Sequence, residues 1–425
     1  MLRLSLICSF WIWAAPCAPA AVPWARGGTA GPGAPATWTA PVPGGAPSPA
    51  SRGLQTPALG GPPAATAGPL DGAAQASGAR LERRLLAMGS EWTLSIEAGD
   101  RAQALAASEA AVLALVGVER RLSTWDPSSE LARALAAPLG QPIELSADCA
   151  AELSAAFRWS AVTDGAFDPR VGALVDAYDL RGRGRWPAAE EREAARRAGG
   201  QLGFDGRRIW REDQRSRLEE GGFAKGAGLD AALDALKRNG ITQASLSLGG
   251  QVGLLGGAQV WVRDPRQPER PLLSLWLADG SLASSDNHSA GRVVDGRCLP
   301  HLLDPRSGLP VARDGSVSVF APSALAADAL STGLFVLGEA GWSAVLARQP
   351  ELGLLALSPT PSGWRAALCP RLLAALRWTA PGVEAVPWSA PADLPASLPT
   401  GRSSACSDTT AATAGTPPTP PHGPR

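Results

Sequence analysis

The 425 residues carry 39 basic and 39 acidic side chains and a formal net charge of zero, so no global field draws the chain to nucleic acid or to an anionic membrane surface. Cys8, Cys17, Cys149, Cys298, Cys369 and Cys406 show no C-x-x-C spacing. Zinc-knuckle and dithiol-redox chemistry are therefore not indicated, and the three cysteines of the central region form no disulfide framework.

In chain order, Arg3, an apolar run from Leu4 to Ala15 and the small residues Ala18-Pro19-Ala20 follow the pattern of a cleaved signal peptide over residues 1–20. The run is too short to span a bilayer as a stable helix. Export to the periplasm or cell envelope is the expectation. Cys17 raises the alternative of an N-terminal lipid anchor and membrane association, which Pro16 directly before it disfavours. An over-extended start would leave a cytoplasmic protein. Residues 21–80 are dominated by Ala, Pro and Gly, as in Pro41-Val42-Pro43-Gly44-Gly45, and residues 381–425 end in a similar run. Such compositions bury too little apolar surface to offset chain entropy, so both are expected to be disordered.

Residues 81–380 are long enough for one substantial core. Apolar periodicity predicts helices over Gln103–Leu122, Ser146–Val162, Ala188–Ala198, Leu229–Arg238 and Ser323–Leu337. It predicts strands over Trp92–Ile96, Ser245–Leu248, Ala258–Val262, Leu272–Leu277, Ser316–Phe320 and Leu354–Leu357. The two types mix without regular βαβ alternation, which predicts an α+β fold rather than a doubly wound sheet, in a single domain. Arg181, Arg183 and Arg185 alternate with glycines and read as a solvated loop.

Chemistry concentrates in a few segments. In Ala327-Asp328-Ala329-Leu330-Ser331-Thr332, a helix capped by Ser323 projects Asp328 and Thr332 from one face, four residues apart. Two oxygen ligands aimed the same way suit a hard cation, although such a pair is more often a solvated face. Upstream, Glu219-Glu220-Gly221-Gly222-Phe223-Ala224-Lys225-Gly226 lets backbone approach a ligand closely at the glycine pair. It matches neither the Walker loop nor the G-x-G-x-x-G fingerprint. In Asp304-Pro305-Arg306-Ser307-Gly308, Asp304 reads as the cap of a turn.

These segments, with Met88-Gly89-Ser90, Leu122-Ser123-Thr124-Trp125, Thr163 to Gly172, Leu248-Gly249-Gly250 and His301 to Pro310, occur in an order that resembles the FAD:protein FMN transferase family, the ApbE-like flavin transferases. The resemblance runs from about Leu86 to about Leu357. It implies an α+β enzyme that uses Mg2+ to move the FMN moiety of FAD onto a threonine or serine hydroxyl of a target flavoprotein, releasing AMP. It also implies Mg2+ ligation by Asp328, Thr332 and the carbonyl of Gly222, and cofactor contacts from Met88, Trp125, Ala166, Phe167, Asp168, Glu219, Lys225 and Leu302. His301 is then either a general base or a flavin or phosphate contact. Two departures stand out: Glu219 where the family usually has Asp, and Ser284-Ser285-Asp286-Asn287-His288 where it often has T-S-G. An FAD pyrophosphatase and a non-catalytic flavin carrier remain as alternatives.

Overall fold

The computed structural model describes residues 13–15, 78–287 and 291–389. Signal-peptide cleavage and lipidation at Cys17 fall outside them, as do most of the two expected disordered ends and His288. The architecture is α+β, as the sequence predicts. Among the described residues, a nine-stranded sheet runs in the order Ala79–Ala87, Ser90–Ala98, Gln243–Leu248, Gln251–Leu255, Gly280–Asp286, Ser316–Ala321, Gly353–Thr360, Gly363–Leu368, Val383–Pro387. Every neighbouring pair is antiparallel except the last, which is parallel. A smaller sheet contains Ala258–Asp264, Gln267–Leu277 and Leu376–Thr379, with Trp13–Ala15 along its edge.

Local chemistry explains the elements. Ser90–Ala98 alternates, and its inward residues Trp92, Leu94 and Ile96 are fully buried. Asp100 caps the helix Arg101–Leu122 by accepting from the Gln103 amide at 2.8 Å, and Ser146 and Ser323 do the same for Ala147–Val162 and Ala324–Leu337. Arg101–Leu122 is long and apolar enough to cross a membrane. Its buried stripe of Ala104, Ala107, Ala111, Leu115 and Val118 packs into the core instead.

Two boundaries differ from the sequence reading. The folded region does not stop at residue 380. Val383–Pro387 pairs with Gly363–Leu368, the amide of Trp388 donates to the Leu368 carbonyl at 2.7 Å, and the Trp388 ring packs on Trp342. Alternating small and apolar residues suffice for an edge strand despite the surrounding prolines. The helix expected from Leu229 begins at Ala224. Its first two turns carry Gly226 and Gly228, poor helix formers, because close packing needs them. A Cβ on Gly226 would stand 2.3 Å from the Ala324 carbonyl oxygen.

The helix Ala324–Leu337 is buried on nearly all sides. Gly226 lets Ala224–Arg238 cross its start, and Gly333 lets the loop at Thr163 and Phe167 cross its far half, where a Cβ would meet Thr163 Cγ2 at 2.7 Å. The helix bearing Asp328 and Thr332 is thereby wedged between the large sheet and the segment that carries Gly222 and Lys225.

Candidate active site

A cleft opens beside this helix, lined from both the Glu219–Lys225 segment and the helix itself. Eleven of the twelve residues singled out by sequence line it: Trp125, Ala166, Phe167, Asp168, Glu219, Gly222, Lys225, His301, Leu302, Asp328 and Thr332.

Asp328 lies at the buried end of the cleft. Its Oδ2 accepts from the Gly226 amide at 3.1 Å and stands 3.9 Å from Lys225 Nζ. Burial pushes this carboxyl up from its usual range, against the pull of Lys225 and the Gly226 amide. Lys225 Nζ also donates to the Gly221 carbonyl at 2.6 Å, so an ammonium sits between a main-chain oxygen and a carboxylate. One helical turn on, Thr332 Oγ1 lies 3.2 Å from Ser285 Oγ, which is 2.9 Å from Ser331 Oγ. Gly222 faces Thr332: a Cβ there would stand 3.6 Å from Thr332 Oγ1 and 3.1 Å from the Phe167 ring. The side chains on this side offer a carboxylate and a hydroxyl, both oxygens, which is the chemistry of a hard divalent cation. The lysine ammonium in their midst shows that the position accepts positive charge. Among the described residues no cluster of three or more His, Cys, Asp and Glu competes as a metal site.

A second group of cleft residues is an arginine–carboxylate network stacked on an aromatic ring. Arg181 donates to Glu219 at 2.6 Å and to Thr124 Oγ1 at 2.7 Å, lies 3.7 Å from Glu220, and stacks on Trp125 with its guanidinium 4.4 Å from the ring centre. Thr124 in turn donates to Glu220. Burial and the neighbouring Glu220 push the Glu219 carboxyl up, and Arg181 restrains it. Arg292 also lines the cleft. Arg181 is thus a cleft residue rather than part of a solvated loop. Its signal was hidden because its partners lie 38 and 57 positions away.

His301 is partly buried, and its Nδ1 is enclosed without a hydrogen-bond partner among the described residues. Burial pushes it down to about 4, reinforced by Arg292 and Lys225 and opposed by Asp286. The imidazole is therefore neutral at ordinary pH and able to accept a proton. The following hairpin forms as predicted: Asp304 Oδ1 accepts from the Arg306 amide at 2.9 Å, and the Gly308 amide donates to the Asp304 carbonyl at 2.7 Å.

Two expectations are modified. Met88 does not line the cleft. It sits in the turn before Ser90 with φ of 49°, donates its amide to Glu119 at 3.1 Å, and packs its sulfur against Gly228, a core role suited to a flexible thioether. Asp168 does line the cleft, but its carboxylate is committed to Arg170 at 2.7 Å and to the Arg170 amide at 2.9 Å.

The α+β fold thus gathers Asp328, Thr332 and Lys225 and the Arg181–Trp125 pair around one cleft. Solved structures share the architecture. The ApbE protein of Thermotoga maritima is 27% identical with a TM-score of 0.59, the alignment covering 65% of this chain and 94% of that one. The apo flavinyl transferase ApbE of Pseudomonas stutzeri is 26% identical with a TM-score of 0.60, over 68% and 95%. In sequence, the FAD:protein FMN transferase of Haemophilus influenzae is 30% identical over 247 residues, spanning 53% of this chain and 70% of that protein. Residues 88–356 match the ApbE family model. The chain belongs to the ApbE family and, with it, to the transferases.

Proposed function

We propose that this protein transfers the FMN moiety of FAD to a threonine or serine hydroxyl of a target flavoprotein, with Mg2+ as the required cation and AMP as the leaving product. The observation that carries the reading is the pairing of Asp328 and Thr332 on one buried helix face with Lys225 held between the Gly221 carbonyl and Asp328. A bond forms between the acceptor oxygen and the FMN phosphorus while the bond from that phosphorus to the bridging oxygen of the pyrophosphate breaks. The hydroxyl proton leaves with a base or solvent, and AMP departs as an anion. Such transfers rest on positioning and charge neutralisation.

Asp328, Thr332 and the Gly222 carbonyl are the residues suited to hold Mg2+, which when bound would neutralise charge on the pyrophosphate oxygens. Lys225, Arg181 and Arg292 bind and orient the anionic part of FAD, and Trp125 with Phe167 offers aromatic surface to its rings. His301, neutral and enclosed, takes the acceptor proton in this reading.

The test is mass spectrometry of a candidate acceptor after incubation with the protein, FAD and Mg2+. An acceptor gaining covalent FMN, with AMP released, is the expected result. AMP without an adduct would mean hydrolysis, and unchanged FAD a carrier. The pattern at residues 1–20 supports a further proposal, that the chain is exported to the periplasm or envelope. N-terminal sequencing of the mature protein from fractionated cells checks it, and an intact Met1 in the cytosol would overturn it.

A further inference from the structure

Asp230 lies on the helix Ala224–Arg238, one turn after Gly226, and is absent from the cleft lining. Its carboxylate accepts three hydrogen bonds from the start of Ala324–Leu337: from Ser323 Oγ at 2.7 Å, from the Ala324 amide at 2.6 Å and from the Leu325 amide at 2.9 Å. These are donors that the helix itself leaves unsatisfied at its N-terminus. Ser323 already caps the Ala326 amide at 3.3 Å, so Asp230 adds a second, charged cap supplied from another helix. Gln251 completes the grip by donating to the Ala324 carbonyl at 2.6 Å. One turn along the same two helices, the Gly226 amide meets Asp328 Oδ2.

Two contacts, Asp230 to the helix start and Gly226 to Asp328, fix both the axial position and the rotation of Ala324–Leu337 against Ala224–Arg238. The second contact alone ties the two helices at a single point and leaves the amides of Ala324 and Leu325 without their carboxylate acceptor. Because Asp328 and Thr332 lie one and two turns from Ala324, a small rotation at the capped end misdirects both oxygens together. We propose that Asp230 is a positioning residue that fixes Asp328 and Thr332 in the orientation that binds the divalent cation. The inference rests on the cation site proposed above and goes beyond it by assigning a residue that touches neither cation nor flavin.

The experiment uses Mn2+ as the probe, with full-length protein in four forms: wild type, Asp230→Asn, Ser323→Ala and Asp328→Ala. Bound Mn2+ is counted by its paramagnetic resonance signal without FAD, and amide hydrogen exchange is followed over residues 324–337. Asp230→Asn keeps the side-chain size but replaces one acceptor oxygen with a donor facing donors. It is expected to raise the half-saturating Mn2+ concentration about tenfold and to speed exchange at Ala324 and Leu325, with far-ultraviolet circular dichroism unchanged. Ser323→Ala, which removes one donor to Asp230 and the cap on the Ala326 amide but leaves Asp230 holding the Ala324 and Leu325 amides, is expected to shift both readouts in the same direction by less. A purely structural Asp230 would lower the melting temperature and leave Mn2+ half-saturation at the wild-type value; that result, with Asp328→Ala still losing Mn2+, overturns the inference and spares the cation site. If wild type binds no Mn2+ that Asp328→Ala abolishes, the cation site falls and this inference with it. Should Asp230→Asn fail to fold, unchanged Mn2+ binding and exchange in Ser323→Ala would overturn the proposal.

Discussion

Gly226 and Asp328, 102 residues apart, are joined by a 3.1 Å hydrogen bond from the backbone amide of one to the carboxylate of the other. The glycine has no side chain to hold the two helices apart, and the carboxylate receives a fixed donor that restrains it without consuming both its oxygens. Removing that carboxylate should therefore be felt in chemistry before it is felt in folding. Asp328→Ala is expected to lower flavin transfer by at least about 100-fold, the scale seen when one electrostatic stabiliser is lost from an active site. Thr332→Val should instead raise the Mg2+ concentration for half-maximal transfer with the maximal rate largely kept. In-gel flavin fluorescence of the acceptor, measured across a Mg2+ titration, checks both. Wild-type rates for Asp328→Ala at limiting Mg2+ would remove Asp328 from the site.

Arg181 is the counterion shared by Glu219 and Glu220. Taking it away leaves two adjacent, largely buried carboxylates without a cation, a change that typically costs about 3–5 kcal/mol. Arg181→Met should lower unfolding free energy by an amount of that order, measured by urea denaturation, and weaken FAD binding. Adding Glu219→Gln should recover part of the stability. If the double variant is no more stable than Arg181→Met alone, repulsion between the two carboxylates is not what Arg181 relieves.

How much of this was legible in the sequence depends on the range of the contact. Asp328 and Thr332 are four residues apart, so helix geometry alone put them on one face, and Ser323 marked where that helix starts. The turn at Asp304 and the alternation through Trp92, Leu94 and Ile96 were equally local. Arg181 and Asp230 were not legible, because what gives each its place is a partner dozens of residues away. The strand Gly280–Asp286 escaped for a different reason. It is buried on both faces yet rich in serine, whose hydroxyls pair with Ser318, Ser331 and Thr332 from neighbouring elements, so it shows no apolar pattern. The early turn of Ala224–Arg238 was hidden by glycines that a helix alone disfavours and a helix crossing requires.

The C-terminal edge of the sheet gives a truncation test. A chain ending at Pro381 loses the strand Val383–Pro387 with its parallel ladder, and with it the Trp388 amide bond and ring contact. Partial burial of Val383, Ala385 and Trp388, with the lost ladder, corresponds to a loss on the order of 2–3 kcal/mol. A chain ending at Ser389 should unfold at the same urea concentration as the full-length protein, and one ending at Pro381 at a clearly lower one. Equal midpoints for the two truncations would show that the last strand adds nothing to the fold.

The remaining prediction concerns pH and separates His301 from Lys225. The folded value of His301, about 4, lies below the unfolded value of about 6.5. The unfolded chain therefore takes up the proton first. This group's contribution to stability is full above about 6.5 and is lost as pH falls from there towards 4. The same displacement sets the kinetics, because kcat/KM reports the titration of the free enzyme. If His301 accepts the acceptor proton, kcat/KM should stay level through 6.5 and fall only near 4, and His301→Asn should depress kcat with FAD still bound and abolish that acid limb. Lys225→Met, which removes a ground-state contact to the anionic ligand, should mainly raise the FAD concentration required and keep the limb. Should His301→Asn weaken only FAD binding and leave the pH profile intact, His301 positions the flavin and the proton leaves by another route.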